Sequence, residues 1–254
     1  MRVKSLTLGL AAGIIGGLFG VGGGLLVVPG LVLWLGFEQR RASATSLAVV
    51  VGASAAASAR LAGDGSVEFD VAAVVFIGAI IGVWLGVRAT GLIPSYWLAR
   101  GFVAIMLASA IRLAFFTGES AGGDGVLGGA WEPVVLIGVG VVAGMLSSTL
   151  GVGGGVIYVP ALVTLMGLEQ IVAQGTSLAV ILPTALLGSI LHGRAGRVDW
   201  KVAVIAGAGA ALGALGGAEI ALGLSDVVRR RLFAAFLMLV AVRMLSRTRA
   251  NLEN

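Results

Sequence analysis

A glycine-rich stretch followed by a proline occurs twice in this chain, 131 positions apart. Gly20-Val21-Gly22-Gly23-Gly24, leading to Val28-Pro29, returns as Gly151-Val152-Gly153-Gly154-Gly155, leading to Val159-Pro160. The same shift carries Glu38-Gln39 onto Glu169-Gln170 and Thr45-Ser46-Leu47-Ala48-Val49 onto Thr176-Ser177-Leu178-Ala179-Val180. It also carries Gly78, Gly82 and Gly86 onto Gly209, Gly213 and Gly217, and Arg112 onto Arg243. A match this long in one register is an internal duplication. The chain must fold as two copies of one unit, each with a glycine break set in apolar sequence.

The sequence around the breaks decides the solvent. Of 254 residues, 58% are hydrophobic and 11% charged, and the mean hydropathy is +1.07. A soluble domain carries about 25% charged residues, so this chain cannot cover its own surface in water. Apolar runs of about 20 residues have the length of membrane helices rather than barrel strands, and helices satisfy their backbone in lipid. The expected fold is an all-α polytopic membrane protein with the lipid bilayer as its partner. The net charge of +5 reads as cytoplasmic loop charge. No loop is long enough for a basic domain, so nucleic acid is not an expected partner. The absence of cysteine excludes disulfides, thiolate metal sites and thiol relays, and no cofactor is expected. Met1-Arg2-Val3-Lys4 before an apolar run resembles a signal peptide. Its recurrence as the segment 134–150 makes it a retained first element.

The first apolar element, Ser5–Gly36, would be about 48 Å long as one helix, against a hydrocarbon core of about 30 Å. Glycine weakens helices, so a break at Gly20–Gly24 is expected, leaving halves near Leu6–Phe19 and Leu25–Leu35. Ala42–Leu61, Val71–Arg88 and Tyr96–Phe116 complete the first copy. The second consists of a broken Pro133–Gly167, then Ala173–His192, Val202–Leu222 and Val227–Leu245. The chain thus divides into a first repeat (1–116), an acidic glycine-rich connector (117–130), a second repeat (131–246) and a polar tail (247–254).

If each broken element is a re-entrant hairpin, each repeat crosses three times and the second copy is inverted. The positive-inside rule favours this arrangement in the plasma membrane with both termini cytoplasmic. Arg40 and Arg41 correspond to Ile171 and Val172, Arg2 and Lys4 to Pro133 and Val135, and Arg88 to Glu219. Arg194, Arg197 and Lys201 appear where the first copy has the acidic Asp64, Glu68 and Asp70. Each exchange puts the basic residue inside. The run Arg229–Arg231 goes against the pattern.

A break between half-helices leaves N–H groups without intrahelical partners, and the macrodipole adds about half a positive charge there. Successive glycines let the backbone curl into a nest of donors for an anion. Gly20, Gly22, Gly23 and Gly24, with Gly151, Gly153, Gly154 and Gly155, are therefore the expected substrate-binding residues, brought together near mid-membrane by inversion. Thr45, Ser46, Thr176 and Ser177 either donate hydroxyls to the anion or bond their own helix carbonyls. Ser148 and Thr149 have no hydroxyl counterpart in the first copy and would add donors beside the second nest. The glycines spaced by four are expected to pack helices closely. Glu38-Gln39 and Glu169-Gln170 read as interfacial caps, Pro183 as a bend, and His192 as an interfacial loop residue.

The doubled G-x-G-G-G breaks, the following prolines, the T-S-L-A-V segments and the length together resemble the TauE/SafE family of sulfite-exporter-like transporters, over essentially the whole chain. The resemblance implies transport of a small sulfur-containing anion, such as sulfite, sulfoacetate or a related organosulfonate, across the plasma membrane; the leading reading is a carrier working by alternating access around the paired glycine nests, without enzymatic activity. A homodimer is compatible with it. A non-catalytic subunit of a membrane complex is the second reading. An intramembrane serine hydrolase using Ser189 and His192 is the third, though it lacks a nucleophile elbow and leaves the glycine repeat unexplained.

Overall fold

The computed structural model describes residues 2–89, 103–104, 106–108, 110–111, 129 and 131–250, with side chains to residue 242. Nine helices are defined among them: α1 (Arg2–Phe19), α2 (Gly24–Leu35), α3 (Gln39–Gly63), α4 (Phe69–Ala89), α5 (Glu132–Leu150), α6 (Gly155–Leu165), α7 (Gln170–Arg194), α8 (Trp200–Gly223) and α9 (Asp226–Ala250). Six of them, α1, α3, α4, α5, α7 and α8, are long and apolar enough to cross a membrane. No strand occurs among the described residues. The expected Tyr96–Phe116 helix lies mostly outside the described residues, and the positions within it that are described are helical. Arg112, the connector apart from Gly129, and the last four residues of the tail also lie outside them.

Both breaks fall where the glycines predict. Gly20, Gly22 and Gly23 have φ of +71°, +72° and +80°, and Gly151, Gly153 and Gly154 have +73°, +93° and +81°. No non-glycine residue among those described has positive φ, so only this residue type closes the loops without a Cβ penalty. The half-helix α2 then folds back on α1: a Cβ on Gly23 would strike the carbonyl of Ala12, and one on Gly30 would strike the side chain of Leu8. Later residues of α2 thus meet earlier residues of α1. At about 1.5 Å per residue, the 12-residue α2 is too short to cross alone.

Small residues fix the pairing of the long helices. A Cβ on Gly9, Gly13 or Gly17 of α1 would strike the carbonyl of Ala206, Ala210 or Ala214 on α8, and Gly209, Gly213 and Gly217 meet Leu6, Leu10 and Ile14 in return. On the other side, Gly78, Gly82 and Gly86 of α4 lie over Ile137, Val141 and Met145 of α5, while Gly140 and Gly144 lie over Val75 and Ala79. The numbers rise together on both helices, so each pair runs parallel. The expected packing role of these glycines is borne out. Every one of these contacts joins a helix of one repeat to a helix of the other.

The interior belongs to α3 and α7, whose spans are the most buried of the six. Both end at a loop glycine of positive φ, Gly65 and Gly196. Arg60 on α3 pairs with Glu219 on α8 near one end, and Arg41 Nη2 lies 2.8 Å from Asp199 Oδ2 near the other.

Several local expectations need correction. Glu38 and Glu169 occupy the N-cap positions of α3 and α7, but neither side chain makes a cap hydrogen bond. Gln170 is buried rather than interfacial. His192 is no loop residue: it lies in the last turn of α7, 2% exposed, with Nε2 3.0 Å from the Ser148 carbonyl oxygen. The Arg229–Arg231 run also gains a structural reason. Arg229 donates to the Ala221 and Leu224 carbonyls, 2.9 and 2.7 Å away, at the end of α8, where cations offset the helix dipole. Asp226 pairs with both Arg229 and Arg230.

Candidate functional site

The two glycine loops touch. A Cβ on Gly24 would lie 2.5 Å from the Gly151 carbonyl oxygen, and one on Gly155 would lie 2.5 Å from Val21 Cα and 2.6 Å from the Gly20 carbonyl oxygen. They also share one apolar floor. Gly22 and Gly153 both face Val50 of α3 and Ile181 of α7, themselves equivalent under the repeat shift. Residues 20–24 and 151–155 are all buried.

Ser46 and Ser177 hold the loops against each other. Ser46 Oγ donates to the Gly151 carbonyl at 2.8 Å, and Ser177 Oγ donates to the Gly20 carbonyl at 2.9 Å. Each serine reaches the loop of the opposite repeat. Thr45 and Thr176 turn elsewhere: Thr45 Oγ1 accepts from the Asp199 amide at 3.1 Å, and Thr176 Oγ1 accepts from the Glu68 amide at 3.0 Å. These bonds pin the segments entering α8 and α4. All four hydroxyls thus bind the other repeat, an outcome that neither open reading of the sequence contained. Ser148 and Thr149 return their hydroxyls to their own helix, both to the Met145 carbonyl. They supply no donor to the loops.

Of the loop amides, those of Val21 and Gly151 bond back to the Gly16 and Ser147 carbonyls. Leu26 and Val27 bond back to the Gly23 carbonyl, and Ile157 and Tyr158 to that of Gly154. Among the described residues, no partner accepts from the amides of Gly22, Gly23, Gly24 and Leu25, or from those of Gly153, Gly154, Gly155 and Val156. Buried backbone amides are nearly always paired in native proteins; all of these eight except that of half-buried Leu25 belong to buried residues, which marks the place where this fold departs from ordinary packing. The half-helix dipoles of α2 and α6 point their positive ends into it.

The hydrolase pair does not assemble. Ser189 Oγ donates to the Leu186 carbonyl at 2.8 Å, and His192 turns to Ser148 instead. No cluster of three or more metal-binding side chains occurs among the described residues.

Residues 1–113 and 136–253 match the family described as sulfite exporter TauE/SafE, leaving out a stretch around the connector. The chain belongs to the TauE/SafE family. It is similar to the probable membrane transporter protein YunE of Bacillus subtilis, 28% identical over 236 residues, covering 85% of this chain and 86% of the relative. A second Bacillus subtilis relative, the probable membrane transporter protein YdhB, is 29% identical over 213 residues, covering 82% and 85%. A probable membrane transporter protein of Xylella fastidiosa is 27% identical over 266 residues and covers 99% of both chains. No solved structure matches. As a TauE/SafE protein with six apolar spans, the chain is a multi-pass transporter of the plasma membrane and not an enzyme.

Three buried polar residues at or near the TauE/SafE loops escape a reading of the sequence. The Tyr158 ring packs against Gly154, and the stem of Gln174 packs against Gly20, while Gln170 lies one turn from Gln174. All three are fully buried, with polar atoms that have no hydrogen-bond partner among the described residues. The repeat itself carried the signal. At equivalent positions the first copy has Val27, Ser43 and an exposed Gln39, so the second copy alone places large polar groups here.

Proposed function

We propose that this protein carries a small sulfur-containing anion, sulfite or a compact organosulfonate, bound where the two glycine loops meet. The eight amides at two half-helix N-termini that lack a partner among the described residues carry this reading. Together the two helix ends amount to about one positive charge, and among the described residues no lysine or arginine lies against the loop glycines. The floor of Val50 and Ile181 keeps the surroundings apolar, which strengthens each amide's attraction for an oxyanion. Sulfur enters through the family's description.

The repeats are inverted in this reading. Parallel α1/α8 and α4/α5 pairs and the fold-back of α2 support it. If α1 starts at the cytoplasmic face, α2 returns there, α3 leaves, α4 comes back, and α5 starts from the outer face. The cytoplasmic end then collects Arg2, Lys4, Arg40, Arg41, Arg194, Arg197 and Lys201, and the outer end Asp64, Glu68 and Asp70. Residues 1–116 and 131–246 are the two functional repeats around this axis.

Uptake of labelled sulfite and sulfoacetate into proteoliposomes, with and without a proton gradient and membrane potential, tests the function. Saturable flux of either anion is expected. Folded protein that carries neither under any gradient would contradict it.

A further inference from the structure

Gln170 and Gln174 are 0% exposed, and in both the amide oxygen and the amide nitrogen lack a hydrogen-bond partner among the described residues. Buried side-chain amides are normally paired, so two in succession on one helix call for a reason. They stand four apart on α7 and share a face.

Their surroundings set a direction. Gln174 lies against the first glycine loop: a Cβ on Gly20 would be 2.6–2.9 Å from the Cα, Cβ and Cγ of Gln174. Gln170 lies one turn nearer the start of α7, where its backbone amide donates to Asp226 Oδ1 at 3.3 Å. Asp226 is flanked by Arg229 and Arg230, whose side chains are only 10% and 12% exposed. Arg230 Nε forms an ion pair with Asp226 Oδ2 at 2.7 Å, and neither arginine Nε has a hydrogen-bond partner among the described residues. Two arginines thus face one aspartate at this end, and Glu169 stands exposed at the N-cap of α7 beside them. The order in space is arginine pair, Gln170, Gln174, glycine loop.

We propose that Gln170 and Gln174 form a polar passage, present in the second repeat only, through which a small oxyanion moves between the Arg229/Arg230 end and the Gly20 loop. This rests on the anion-transport reading given above. The chemistry suits transit: each amide offers two N–H donors and no charge, so it holds an oxyanion firmly enough to admit it and weakly enough to release it. An oxyanion with three or four acceptor oxygens can engage the next amide before leaving the last. In the first repeat the equivalent Gln39 is exposed and Ser43 is short, so no second ladder exists there.

Gln170→Leu and Gln174→Leu, made separately in the full-length protein, test the passage through sulfite flux in proteoliposomes and melting temperature in detergent. Because the amides lack partners, each substitution should leave the melting temperature unchanged or raised. Sulfite flux should fall at least tenfold in each, and Gln174→Asn should retain more flux than Gln174→Leu. If one leucine variant does not fold, the other carries the test. Wild-type flux in a folded leucine variant would overturn the passage while leaving the paired-loop site standing. A parallel fall of flux and melting temperature would assign the glutamines a structural role and also overturn it. If the folded wild-type protein carries no sulfite, the transport reading fails, and the passage with it.

Discussion

At the scale of single residues, Ser46 and Ser177 do the most to join the two loops. Each donates its hydroxyl to a carbonyl of the opposite glycine loop, 2.8 and 2.9 Å away, and Ser46 Oγ also lies 3.4 Å from the Gly24 carbonyl oxygen. Ser46→Ala or Ser177→Ala would leave a buried carbonyl unpaired, at a cost of about 1–3 kcal/mol. Thermal unfolding in detergent should show a loss of that size for each, and wild-type stability in both would show that the bonds do not hold the loops. The polar pair was legible in the sequence as hydroxyls in apolar surroundings. Its destination was not, because the acceptor lies more than a hundred residues away on the other copy. The placing of His192 is hidden from the sequence for a related reason: a chain position near a helix end says nothing of the α5 carbonyl beside which it lies.

At the scale of elements, the helix breaks could be read directly. A run too long for the bilayer had to fold back, and glycines marked where. Both breaks lie within the predicted stretches because no other residue type takes up the required φ. The glycines spaced by four were legible as packing sites, but their partners were not. The spacing of one stripe cannot say which helix it meets, and here each stripe meets the other repeat. Gly82→Ala would push a Cβ into the Val141 carbonyl on α5, and overpacking of this kind costs about 1–3 kcal/mol. Gly138, one residue on α5 with nothing within 4 Å of its added Cβ, is the matched control. Gly138→Ala should be neutral or stabilising by up to about 1 kcal/mol. Equal losses in the two variants, measured by thermal unfolding, would contradict the packing account.

At the scale of the whole molecule, the repeats interlock: α1 pairs with α8, and α4 with α5. Rocking of one intact repeat against the other would break both pairs, so in the proposed alternating-access cycle α1 moves with α8 and α4 with α5. The inverted arrangement can be tested without removing any native thiol, since the chain has no cysteine. Single cysteines replacing the exposed Glu38 and Ala195 should react with an impermeant maleimide only from the cytoplasmic side. Those replacing the exposed Asp64 and Glu169 should react only from outside. Labelling of Glu38→Cys and Glu169→Cys from the same side would sink the inversion. The central claim is that two loops form one anion site, and the most direct test is the stoichiometry of labelled sulfite bound to purified protein. One anion per chain is predicted, lost in both Gly22→Ala and Gly153→Ala, where the new methyl enters the shared floor from either side. Two anions per chain, or full binding surviving in either folded variant, would contradict it.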